Sequence, residues 1–272
     1  MSNITLDYPV TSAQVRKSLP PSSFGRLLKV EARKLVDTRA GFWLILSGVV
    51  LTVAALIVTA VLSQLPEVRG PDTVLTWFTV SSTSSILSIF LGVLAILTMT
   101  TEWTTRTALT TFTLEPRRLR VAAAKMLVLA LATLVMILFS VVVGAVVIAV
   151  LKATGGNVNW SMPLGELGAF TVQTLFNTFM AAGFALLMAN TAAAIVAYFA
   201  LPMAAGVLVS FGDIMPNLGK VAPWIAFQPS LSALSAGPMT GVQWAQLAVV
   251  VLLCIGIPTA IGLVLWQRRQ VS

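Results

Sequence analysis

The chain has 272 residues, of which 57% are hydrophobic and 10% charged. A soluble domain carries about 25% charged residues, and a water-soluble fold of this length has no room to hide so much apolar side chain. The absence of histidine and the single cysteine, Cys254, exclude an internal disulfide and a His/Cys metal centre, and the net charge is +8.

Residues 1–21 read as a flexible cytoplasmic tail closed by Pro20 and Pro21. No apolar core precedes Gly41, so the start of the chain does not read as a signal peptide. Over residues 22–40 the spacing predicts an amphipathic helix lying at a membrane interface, with Ser22 or Ser23 as its cap. Phe24, Leu27, Leu28, Ala32 and Leu35 share one face, and Arg26, Lys29, Arg33 and Asp37 share the other. Glu31 falls among the apolar positions and needs a partner. Either it pairs with Lys125 or Arg106 at the mouth of the spans, or it reaches water beside Lys34.

Long unbroken apolar runs in lipid mean helices, because every backbone polar group must then be satisfied internally. A crossing takes about 20 residues. Six spans are predicted, at 41–62, 78–100, 123–151, 167–189, about 192–211 and 243–266. No charge separates the fourth from the fifth, but their joint length is twice one crossing, so Asn190 and Thr191 read as a tight turn. Trp43 and Trp266, at span ends, are expected as interface anchors, and Pro202 and Pro258 as kinks. With both termini inside, fourteen of the seventeen basic residues lie on the inner side and only Arg69, Lys152 and Lys220 outside. That is the positive-inside pattern of a multi-pass protein of the plasma (inner) membrane, and it accounts for the basic charge without nucleic acid.

Two places carry polar groups of interest. The segment 101–122 holds Glu102, Arg106, Glu115, Arg117, Arg118 and Arg120 between two spans. Its arginines either fix orientation or meet lipid phosphate or an acidic protein groove. Within spans, the serines from Ser81 to Ser88, including Ser85, and the pair Gln173 and Asn177 serve either helix packing or a substrate path.

Three stretches resemble the permeases of ABC type-2 exporters: Val30 to Arg39, Thr101 through Arg118 to Lys125, and Ala189 to Ala194. Their order and spacing fit that family over nearly all of the chain after residue 22. The resemblance implies an all-α integral membrane fold of exporter topology, with a connecting helix before the first span. It implies a coupling helix in 101–122 that sits on a separate ATPase, anchored by Glu102, Arg106, Glu115, Arg117 and Arg118. It also implies short re-entrant helices in the outer segment 212–242; the tail at 267–272, with Arg268 and Arg269, is placed inside by its charge. Two ATPase copies and a second permease chain, identical or homologous, are expected, with ATP and magnesium on the ATPase. The chain itself has no phosphate-binding loop, since Gly219-Lys220 is followed by Val221, and no catalytic or metal residues are expected in it. The implied function is export of an amphiphilic or apolar molecule such as a drug, lipid or peptide. The alternatives are a stand-alone secondary carrier or a non-catalytic membrane assembly protein.

Overall fold

A computed structural model describes residues 23–65, 76–105, 107, 117–159 and 164–268. The tail expected over 1–21, together with Arg106 and Glu115, lies outside the described residues. Those described form nine helices: α1 (Phe24–Asp37), α2 (Arg39–Leu62), α3 (Trp77–Thr104), α4 (Arg118–Ala153), α5 (Leu164–Met188), α6 (Thr191–Ile214), α7 (Pro216–Ile225), α8 (Phe227–Ala236) and α9 (Gly241–Arg268). Six of them, α2 to α6 and α9, are long and apolar enough to cross a membrane, which is the character of a multi-pass membrane protein.

The helices start and stop where local chemistry says they should. Ser23 accepts from the Arg26 amide at the head of α1. Between α1 and α2 stands one residue, Thr38, in extended conformation, whose hydroxyl accepts from the Gly41 amide. A side chain at Gly41 would run into the Leu35 carbonyl and the Thr38 hydroxyl, so the elbow closes only around glycine. The turn between α5 and α6 is equally short. Ala189 adopts a left-handed φ of 44°, and Asn190 caps α6 by accepting from the Ala193 amide. Thr240 and Gln243 form a capping box at the head of α9.

Helix α5 is the centre of the bundle. More than half of its most apolar stretch, 56%, is buried, against 22% for α2 and 11% for α6. Met180, Ala181, Ala182 and Ala185 of α5 pack against Ala95, Ile96 and Met99 of α3 and against Val250 and Cys254 of α9. Small residues let these helices approach closely. A Cβ at Gly92 of α3 would strike the Tyr198 ring of α6, whose hydroxyl donates to the Ser88 carbonyl. The outward faces of α2, α4 and α6 carry Val58, Leu138, Val196 and Met203, all exposed, as lipid-facing helices require.

Three expectations need adjusting. Residues 101–104 and 118–122 are not loop: they continue α3 and α4, since their backbone bonds extend the flanking helices. Ala32 lies on the exposed side of α1. Trp266 is no interface anchor, because it is 1% exposed and packs 6.3 Å from the Trp103 ring inside the bundle. Trp43, by contrast, is exposed. Pro202 sits inside α6. At Pro258 the helix has opened beforehand into a π turn, Leu252–Gly256. The proline ring collides with the carbonyl four residues back, here that of Cys254, and widening the turn relieves that clash.

The segment before α9 forms a helical hairpin, α7 and α8. Its tip, Ala226 and Phe227, is buried, and the Phe227 ring lies 5.5 Å from that of Phe176. Phe176 is residue 13 of the 25 in α5, so the hairpin tip reaches the level of the middle of that helix. Protein covers the backbone there, the condition for irregular chain at such depth.

Candidate functional site

At one end of the bundle α1, α3 and α4 converge on four charged side chains. Glu31 comes from α1 as an i, i+3 neighbour of Lys34. Glu102 comes from the last turn of α3, and Lys125 from the second turn of α4. They close a ring of alternating sign: Lys34 to Glu31 at 2.6 Å, Glu31 to Lys125 at 2.8 Å, Lys125 to Glu102 at 3.3 Å, and Glu102 to Lys34 at 2.9 Å. The Lys125 ammonium has three donors, and the third goes to the Thr98 carbonyl at 3.0 Å. Its charge is thus fully met although only 2% of its side chain is exposed.

Of the two readings of Glu31, the pairing with Lys125 is the one realised: one carboxylate oxygen takes Lys125 and the other Lys34, and at 1% exposure Glu31 does not reach water. Lys34 is half-buried. Burial pulls its pKa down, but the Glu31 hydrogen bond and the charges of Glu102 and Glu31 outweigh this and hold it above the ordinary 10.5. Beside the ring lies a cavity of about 330 Å³, walled by Leu94, Thr98, Thr101 and the elbow residues Thr38 and Gly41.

The residues expected to meet a partner divide. Glu102 does not lie on a surface; it is 5% exposed and spent on the ring. Arg118 turns inward, and its guanidinium donates to the carbonyls of Trp266 at 2.9 Å and Gln267 at 3.4 Å. It thereby caps the C-terminus of α9, where a cation meets the negative end of the helix dipole. Arg120 lies over the Phe24 ring at 5.9 Å and pins the start of α1. Arg117 is exposed at the N-cap of α4. It is the described member of the expected anchor set that faces outward.

At the opposite end, three helices line a second cavity of about 470 Å³, α5 and α8 each with an i, i+4, i+7 stripe and α3 with serines one turn apart. From α3 come Ser81 and Ser85, from α5 Glu166, Phe170 and Gln173, and from α8 Gln228, Ser232 and Ser235. Of the expected path residues, Ser85 and Gln173 face this space. Asn177, one turn further along α5, instead donates to the Gln173 carbonyl at 3.0 Å and does not line it. Ser84 and Ser88 are buried between helices and serve packing.

Glu166 and the α8 residues were not expected. Glu166 precedes the apolar run of α5 and reads as loop. The spacing of Gln228, Ser232 and Ser235, in a segment expected to form short helices, was the available signal. Among the described residues no group of three or more His, Cys, Asp or Glu side chains is placed to hold a metal. Compared with family models and with curated proteins, the chain matches none.

Proposed function

We propose that this chain is the membrane-spanning subunit of an ATP-driven exporter of the ABC type-2 class. It moves an amphiphilic or apolar molecule outward across the plasma membrane. Its motor is a separate ATPase in two copies, and a second permease chain completes the transport unit. ATP and magnesium belong to the motor, and this chain performs no covalent chemistry.

One observation carries the reading. The ionic ring locks α1, α3 and α4 into one block at the end from which residues 105–117 emerge. A push on that segment is then delivered to three helices at once instead of being absorbed by one. Such a block is what a non-catalytic subunit driven from outside needs. Arg117 stands at its edge, exposed, as a contact for an acidic groove.

Co-purification tests it. An ATPase should be recovered with the chain, and Arg117→Glu should depress transport-linked ATP hydrolysis about tenfold or more, as reversal of an interface charge does. A secondary carrier is the second reading, favoured by Glu166, a carboxylate facing a cavity as a coupling residue would. Reconstituted alone, the chain should be inert under proton and sodium gradients. Transport there with no ATPase present rejects the exporter.

A further inference from the structure

We infer that the cavity between α3, α5 and α8 is a binding site for an organic ammonium group. Four features argue for it. The cavity, about 470 Å³, falls within the range of small-molecule sites, about 300–1,000 Å³. Its described lining contains one charged side chain, Glu166, and no lysine or arginine. Glu166 makes no ion pair or side-chain hydrogen bond among the described residues, in contrast to the carboxylates of the ring, and neither do the amides of Gln173 and Gln228. The Phe170 ring, one turn along α5, adds an aromatic wall.

The chemistry of these groups selects the ligand. A carboxylate beside an aromatic ring is the pairing that recognises ammonium, by charge from one side and by the ring quadrupole from the other. The two amides and the hydroxyls of Ser81, Ser232 and Ser235 then offer hydrogen bonds to polar groups around the cation, while the apolar tail of an amphiphile leaves toward the exposed faces of the neighbouring helices. An acidic or phosphate-terminated ligand meets repulsion from Glu166 with no cation in the described lining to offset it.

The inference rests on the exporter reading for one point alone, that the bound ammonium compound is the cargo. Binding itself requires no motor. The ammonium comes either from a soluble cation or from the headgroup of an aminated lipid.

The test uses the full chain, purified without any ATPase in uncharged dodecyl maltoside micelles. Ethidium is the probe, followed by fluorescence anisotropy. It should bind at least about tenfold more tightly than its neutral core, phenanthridine, measured by competition. Glu166→Gln should weaken ethidium about tenfold and Glu166→Asp less, with helix content by circular dichroism unchanged. Gln173→Leu should weaken it about threefold. Displacement by dioctanoyl phosphatidylethanolamine but not by dioctanoyl phosphatidylglycerol identifies a lipid amine; displacement by neither identifies a soluble cation. The proposal is overturned if wild-type chain binds ethidium no better than phenanthridine. It is also overturned if Glu166→Gln and Gln173→Leu both leave the affinity within about twofold. Because ATP is absent throughout, loss of the exporter reading leaves these measurements standing, and their failure leaves that reading intact.

Discussion

The two ends of the bundle use the same kinds of polar side chain for opposite purposes. At the ring end two carboxylates and two ammonium groups pair with one another, and Glu31, Glu102 and Lys125 are buried while Lys34 is half-exposed beside the cavity. At the cavity end a single carboxylate and two amides face open space with nothing in the described chain to bond. Ser85 and Glu102 both belong to α3 and stand 17 residues apart, about 25 Å along the helix. One helix thus carries a closed polar structure at one end and an open one at the other. Polar groups in an apolar surrounding are costly wherever they lie. Paired among themselves, they weld helices together; left facing a void, they await a ligand.

Removing one member of the ring separates these roles most sharply. Lys125→Met leaves two buried carboxylates sharing the Lys34 ammonium, and should cost about 3–5 kcal/mol in thermal or denaturant unfolding in micelles. The double change Lys125→Met with Glu31→Gln should recover much of that loss, because the stranded charge is gone. A single variant no less stable than wild type would mean that the ring holds nothing together.

Arg118→Ala should cost about 1 kcal/mol by uncapping α9, whereas Arg117→Ala should leave the melting temperature unchanged. Equal effects from the two would erase the distinction between an inward and an outward arginine. Lys34 gives a subtler sign. Its folded pKa is raised, so its contribution is complete below 10.5 and is lost as pH climbs through the higher folded value. Alkaline melting curves should therefore fall above that point, and Lys34→Met should flatten the fall. Smallest of all, Glu166→Gln should shift unfolding by less than about 0.5 kcal/mol, the mark of a residue kept for something other than stability.

Much of this architecture was legible in the chain. Apolar runs of one crossing length give the six long helices, since length and hydropathy are read directly against lipid. The misfit of Glu31 on an apolar face pointed to a cationic partner, Lys125 or Arg106, because a buried carboxylate demands one; that Glu102 closes the cluster was not readable. The capping box at Thr240 and Gln243 was readable but lay beneath a stretch dominated by Pro229 and Pro238. The inward turn of Arg118 was not readable, as it depends on where the end of α9 finishes in space. Nor was the π turn. The buried positions of α9 from Val250 to Trp266 recur every four residues, through Cys254, Pro258 and Gly262. A four-residue step overshoots a 3.6-residue turn by about 40° each time, so a regular helix would rotate that stripe away from α5. One widened turn, which takes up one extra residue or about 100°, removes most of the roughly 160° of drift accumulated over the four steps. The cavity escaped for a similar reason: it is assembled from three helices distant in sequence, and only one contributes a charge.

The single extended residue between α1 and α2 sets how the ring end communicates with the rest. With Thr38 as the whole connection, a displacement at the ring end would reach α2 with little slack to absorb it. The 24 residues of α2 make an arm of about 36 Å, so a tilt of about 5° at the hinge sweeps the distant tip by about 3 Å. Lengthening that hinge by two or three glycines would leave both helices intact and cut the mechanical link between them.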